Sequence, residues 1–181
     1  MDTIGFVELS SIASGIEIAD AMLDTANVNL IFAKASCPGK YYVLINGQVA
    51  NVQKAVKVGS DMAGGFLVSS LVLPRIHPKV VVAINMSGVI PDKIDAIGVM
   101  EFFSVTSSII AADSAVKAAQ VELIDVRLGT GIGGKSFVVV SGDISSVKTA
   151  VEAATSNNDD GMLVNKAVIS KPDKKLLSNL F

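Results

Sequence analysis

The 181-residue sequence has no tryptophan, one cysteine, one histidine and five prolines. A single thiol excludes an intrachain disulfide and fits a reducing compartment such as the cytoplasm. Because His77 is the only imidazole, a Ser-His-Asp or Cys-His arrangement would have to pass through it. It sits between Ile76 and Pro78, just after an expected strand, and carries no sign of such a role. Fifteen Lys and Arg are scattered among 17 Asp and Glu, for a net charge of −2. Without a block of cations, the chain is not expected to bind nucleic acid. Long apolar runs are missing too. Val80-Val81-Val82-Ala83-Ile84 is among the longest, far below the roughly 20 residues of a membrane-spanning helix. Met1-Asp2-Thr3-Ile4-Gly5 lacks the basic region and cleavage pattern of a signal peptide. Neither a membrane nor secretion is therefore expected. What is abundant is apolar character: half of all residues, with a mean hydropathy of +0.55. That surplus has to be buried inside the chain or against further copies, so oligomerisation is expected.

The sequence repeats itself. Shifted by 93 positions, residues 4–30 fall on 97–123 with 11 of 27 identical, including Ile4, Gly5, Glu8, Ser11, Ile16, Asp20 and Leu30. Shifted by 95, residues 39–56 fall on 134–151 with seven of 18 identical, among them Gly39, Lys40, Gly47 and Val52. The second copy thus carries two extra residues between these blocks. A period this long exceeds the roughly 20–50 residues of solenoid repeats, and two fused domains account for it, at 1–92 and 96–181.

Each copy reads alike. A strand (3–9; 96–103) leads to a Ser-rich helix start at Ser10-Ser11 or Ser104. Ile12, Ile16, Ala19, Leu23 and Ala26, and in the second copy Val105, Ile109, Ala112, Val116 and Ala119, then recur at helical spacing as one buried face. Strands follow at 28–35 and 121–128, then at 41–46 and 136–141, separated by a glycine-containing loop. Gly47 and Gly142 end the second of these, and Asp143 suits the cap of the next helix. That helix carries Val49, Val52 and Val56, or Ile144, Val147 and Val151. A last strand closes each copy (66–73; 162–169), and Pro91-Asp92-Lys93-Ile94-Asp95 links them. The order β-α-β-β-α-β predicts an α+β chain of two tandem ferredoxin-like domains.

Two segments give these domains a family likeness. The first helix ends in Asp20-Ala21-Met22-Leu23-Asp24-Thr25-Ala26-Asn27-Val28, repeated as Asp113-Ser114-Ala115-Val116-Lys117-Ala118-Ala119-Gln120-Val121. The last strand ends in Leu73-Pro74-Arg75-Ile76-His77-Pro78, with a degraded counterpart in Ile169-Ser170-Lys171-Pro172-Asp173. Both resemble the bacterial microcompartment shell domain, over nearly the whole chain. The resemblance implies a structural, non-catalytic protein of a microcompartment shell in the cytoplasm. It also implies that fused pairs form homotrimers imitating hexameric tiles, and that these tiles join other shell proteins. Cys37-Pro38-Gly39-Lys40 is similar to the pore loop of cysteine-bearing fused forms from propanediol-utilisation compartments. By that likeness, Ser36, Cys37, Pro38 and Gly39 line a central pore with Gly129, Thr130, Gly131 and Ile132. Three Cys37 thiolates would hold one 4Fe-4S cluster per trimer, for electron transfer or cluster exchange. The tile edge falls to Asp24, Asn27 and Arg75 in one copy and to Lys117, Gln120 and Lys171 in the other.

The residues alone leave alternatives open. A lone cysteine is commonly a small buried hydrophobe, and iron–sulfur sites normally draw several cysteines from one chain. Yet Ser36-Cys37-Pro38-Gly39 is turn-forming, and threefold symmetry would turn one thiol into a converging set. A shell tile with a bare Cys37 and a metabolite-passing pore is the alternative. Gly129-Thr130-Gly131-Ile132-Gly133-Gly134-Lys135-Ser136 satisfies the P-loop pattern, but that pattern needs a helix next. Phe137-Val138-Val139-Val140 reads as strand, so a glycine-rich pore-side hairpin is expected in place of a nucleotide site. Glu8 and Glu101, like Asp20 and Asp113, recur as equivalents of the duplication, which a structural role explains. Asn157-Asn158-Asp159-Asp160-Gly161 lacks calcium-loop spacing and is expected to be a solvated turn.

Overall fold

A computed structural model describes residues 3–85, 94–156 and 161–180, with the side chain of Leu180 outside the description. Residues 91–93 of the expected linker and 157–160 of the expected polar turn lie outside the described residues. The chain divides into two compact units. One comprises Met1–Ile76 together with Gly129–Gly134; the other comprises His77–Leu128 and Lys135–Phe181.

The first unit runs β1 (Thr3–Leu9), α1 (Ile12–Thr25), β2 (Asn29–Ser36), β3 (Lys40–Gly47), α2 (Val49–Ala63), a single 3-10 turn and β4 (Leu67–Leu73). Its antiparallel sheet has the order β2-β3-β1-β4. The second unit begins with α3 (Pro78–Asn85) and continues through β5 (Ala96–Phe102), α4 (Val105–Ala118), β6 (Glu122–Leu128), β7 (Ser136–Gly142), α5 (Ile144–Ser156), β8 (Leu163–Ser170) and α6 (Lys174–Leu180). Its sheet has the matching order β6-β7-β5-β8. Both units therefore hold the β-α-β-β-α-β order expected of ferredoxin-like domains.

Local chemistry sets the element boundaries. The hydroxyls of Ser11 and Ser104 accept from the backbone N–H groups of Ser14 and Ser107, opening α1 and α4. The Asp143 carboxylate accepts from the N–H groups of Ser145 and Ser146 at 3.0 Å each, opening α5. The Ser145 and Ser146 hydroxyls, which also donate to it, hold its carboxyl far below the usual carboxylate range, and those N–H bonds add to the effect. Every residue of the central strand β1 is buried. Against it and β3, the two helices of the first unit pack Ile18, Met22, Val52, Ala55 and Val56. A Cβ on Gly5 would lie 2.5 Å from Val56 Cγ2, and one on Gly98 would lie 2.5 Å from Val151 Cγ2. The glycines let a helix sit close over the central strand in both copies.

Two features differ from the sequence reading. The face of α1 that turns inward is Gly15, Ile18, Ala19 and Met22, whereas Ile12 and Ile16 are exposed. In α4 the expected face is buried at Val105, Ile109 and Ala112. With apolar side chains on two faces of α1, spacing alone does not say which one meets the sheet. The short helices α3 and α6, each after a closing strand, have no counterpart in the expected element order. His77 and Asp173 begin them alike: the Lys79 N–H donates to His77 Nδ1 at 3.2 Å, and the Lys175 N–H donates to Asp173 Oδ1 at 2.7 Å.

Candidate functional site

Cys37 lies in the turn between β2 and β3, the two strands at one side of the first sheet. The turn is made by the Cys37–Pro38 peptide, which is cis, and by Gly39 at φ 70°. Cys37 is half-buried, whereas Pro38 and Gly39 are exposed. The base of the turn is fixed from below. Lys40 Nζ donates to Glu8 Oε1 at 2.6 Å, and Ser69 Oγ donates to Glu8 Oε2 at 2.9 Å, so β1 and β4 anchor the first residue of β3.

The glycine-rich segment Gly129–Gly134 packs within this same unit. The hydroxyls of Ser36 and Thr130 share a hydrogen bond at 3.2 Å. Gly129, Gly131, Gly133 and Gly134 all have φ between 67° and 82°, where a side chain is strained. Space matters as well: a Cβ on Gly134 would come 2.8 Å from Pro38 Cδ, and one on Gly129 would meet the Tyr42 hydroxyl. The structure thus brings Ser36, Cys37 and Pro38 together with Gly129, Thr130 and Gly134, while Gly131 remains exposed and Ile132 partly so. Burial pushes the Tyr42 phenol above its ordinary range; the nearby Ser36 hydroxyl works against that shift, and Glu8 and Cys37 add to it.

The P-loop pattern has a different use here. β7 follows it, so the helix N-terminus that would hold phosphate is missing. Lys135 Nζ donates to Glu101 Oε1 at 2.5 Å, the second copy's version of the Lys40–Glu8 pair. The recurring glutamates and the recurring lysines are each visible in the duplication. Combined with the adjacency of a ferredoxin-like first and third strand, the two recurrences predict both pairs, a step that neither recurrence suggests by itself.

Among the described residues, no group of three His, Cys, Asp or Glu side chains could hold a metal. One chain has the single thiol of Cys37, so the expected cluster could be held only where several chains brought their thiols together. The residues expected at a tile edge occupy matching places in the two copies. Asp24 is in the last turn of α1 and Lys117 in the last turn of α4, where Lys117 Nζ donates to Asp113 Oδ2 at 2.5 Å. Arg75 and Lys171 follow the closing strands, at φ 54° and 51°. No hydrogen bond or ion pair joins Asp24, Asn27 and Arg75 to one another, or Lys117, Gln120 and Lys171, among the described residues.

The fold repeated in two copies has a family. The BMC domain model matches residues 3–76 and again 96–172. The chain belongs to that family, as a tandem-domain shell protein of a bacterial microcompartment. Among its relatives, the bacterial microcompartment shell protein PduT of Citrobacter freundii is 47% identical over 174 residues, covering 96% of this chain and 94% of that one. The crystal structure of a microcompartment protein from Desulfitobacterium hafniense superposes with a TM-score of 0.90 at 48% identity, covering 98% and 99% of the two chains. A fused, permuted hexameric shell protein shares the fold at 23% identity and a TM-score of 0.65, over 86% of this chain and 82% of that one.

Proposed function

We propose that three copies of this chain form a pseudohexameric tile whose central pore is lined by the Cys37 turn and the Gly129–Gly134 loop. Three Cys37 thiolates, one from each chain, would hold one 4Fe-4S cluster there, its remaining ligand coming from outside the protein. A cluster held there would supply one-electron transfer across the shell, or would itself be exchanged. The protein's part is to present one thiol per chain on a turn stiffened by the Lys40–Glu8 pair and by the Ser36–Thr130 bond. The observation that carries this reading is the pairing of a half-buried thiol at a hairpin tip with a second, glycine-rich tip.

The trimer has its own support. Ile16 is 56% exposed, yet the identical residue at the equivalent place, Ile109, is fully buried. Leu30 is 44% exposed and its identical equivalent Leu123 only 4%. Apolar side chains buried in one copy and bare in the other call for a cover from a further chain. At the tile's outer edge, Asp24, Asn27 and Arg75 alternate with Lys117, Gln120 and Lys171 and meet the edges of other shell proteins.

Anaerobic purification followed by iron, sulfide and mass measurement tests the reading. One cluster per three chains is expected, and Cys37→Ser should lose the iron while keeping the trimer's mass. A trimer without iron would leave the pore as a passage for metabolites. Iron held by the serine variant at the original ratio would overturn the assignment of Cys37.

A further inference from the structure

We infer that α6 of one chain docks on α1 and β2 of the next chain, taking there the place that α3 takes on α4 and β6. The inference rests on the trimer proposed above and names the contact that would close it.

The template is contained in the second unit. α3 packs against β6 and α4, with Val80, Ala83 and Ile84 buried. Three polar contacts fix it. The His77 N–H donates to Asp113 Oδ1 at 2.8 Å, and Lys79 Nζ donates to Glu122 Oε1 at 2.7 Å and to the Val121 carbonyl at 3.2 Å.

The same parts recur without their partner. α6 is the equivalent of α3: each follows a closing strand, a residue at positive φ (Arg75 or Lys171), a buried residue (Ile76 or Pro172) and a side-chain cap (His77 or Asp173). Lys175 stands where Lys79 does, and Leu176 where Val80 does. Val80 is fully buried, but Leu176 is exposed. Leu177, on another side of the helix, packs against its own unit's cluster of Ile97, Ile124 and Val139. The helix is therefore held on one side and bare on the other. The receiving surface recurs too: Asp20 stands for Asp113, Val28 for Val121, Asn29 for Glu122, Leu30 for Leu123 and Ile16 for Ile109. Asp20, Leu30 and Ile16 are all exposed.

Docking would set Leu176 on the bare Leu30 and Ile16 surface. It would bring Lys175 Nζ to the Val28 carbonyl and the Asn29 side chain, and the Asp173 N–H to the Asp20 carboxylate. A second copy of this chain is the occupant because it alone repeats the helix, cap and lysine that already fill the equivalent surface.

The experiment restores the one changed partner. Asn29→Glu recreates the Glu122–Lys79 pair with native Lys175, and a carbodiimide joins carboxylate to ammonium only where the two touch. Light scattering first gives the mass of the untreated protein. The expected result is a trimer that, once treated and denatured, runs as covalent dimers and trimers, with residue 29 linked to Lys175 in those bands and no link in Asn29→Glu combined with Lys175→Ala. A trimer with no interchain link at Lys175 would overturn the docking and leave the trimer standing. A monomeric wild type would overturn both. In a second arm, Leu176→Asn should raise the concentration at which the trimer dissociates at least about tenfold, and an unchanged midpoint would overturn the docking.

Discussion

Two lysines at equivalent places in the duplication should respond very differently to the same substitution. Lys40→Met leaves the Glu8 carboxylate, only 3% exposed, with the Ser69 hydroxyl as its remaining partner. Removing one member of a fully buried pair costs about 3–5 kcal/mol. Lys40 itself is 22% exposed, so water screens part of the attraction and about 2–3 kcal/mol is expected. Lys135→Met removes the same contact from Glu101, but those side chains are 43% and 34% exposed. A pair so open to water is worth about 0–1 kcal/mol. Calorimetry should see Tm of the first unit fall by roughly 10 °C or more for Lys40→Met, and that of the second by less than about 5 °C for Lys135→Met. The scans need one fixed protomer concentration, because the proposed trimer would tie Tm to concentration. Equal losses at the two lysines, or a Lys40→Met protein melting with the wild type, would refute the reasoning. The comparison also probes the P-loop pattern. ATP and GTP should leave Tm of the wild type and of Lys135→Met unchanged, and nucleotide stabilisation that depends on Lys135 would revive a phosphate site.

Other outcomes follow from the same contacts. Gly5→Ala and Gly98→Ala each push a methyl group into valines of the overlying helix, so each should destabilise its unit by about 1–3 kcal/mol in urea unfolding. Because the fold depresses the Asp143 carboxyl, its contribution is complete above the unfolded value of about 4 and is lost as pH falls below it. Asp143→Asn should therefore flatten the acid limb of a Tm-against-pH curve and leave the neutral limb little changed in slope. If Asp24 meets lysine-bearing edges of other tiles, Asp24→Lys should weaken co-assembly with a hexameric shell protein in a salt-relieved manner, read by co-sedimentation. Equal incorporation at low salt would make Asp24 an ordinary surface charge.

Much of the fold is legible in the residues because the chain states it twice. The identity of Gly5 with Gly98 marks a position that both copies keep free of a side chain, and that of Ser11 with Ser104 marks a helix cap. The orientation of α1 is not legible, since Ile12, Ile16, Ile18 and Met22 offer apolar groups on two faces and an isolated chain buries only one. α3 and α6 are hidden for another reason. The Val80–Ile84 run is too short to declare a helical period, and the one local sign of a helix there is Pro78 in a first turn. At the site, Cys37 and its turn stand out from residue types alone. The crowding of Gly129 against Tyr42 and of Gly134 against Pro38 does not, because it joins segments some 90 positions apart whose contact no local pattern encodes.

Arg75 and Lys171 end their strands in a conformation that glycine adopts freely and a long side chain does not. Holding a substituted Cα there raises the energy of the folded chain by about 1 kcal/mol at each place. Backbone comfort and a cationic side chain are thus opposed at a single residue, in both halves of the molecule. Exchanging either for glycine would relax the main chain and delete a cation in one step, giving a chain that is sturdier alone and, with the cation at the proposed edge, poorer at joining its neighbours. For anyone building shells to order, this separates two properties that usually move together. If Arg75 and Lys171 lie at the tile edge as proposed, the grip between tiles could be turned down at these positions without straining the main chain, and without touching Cys37.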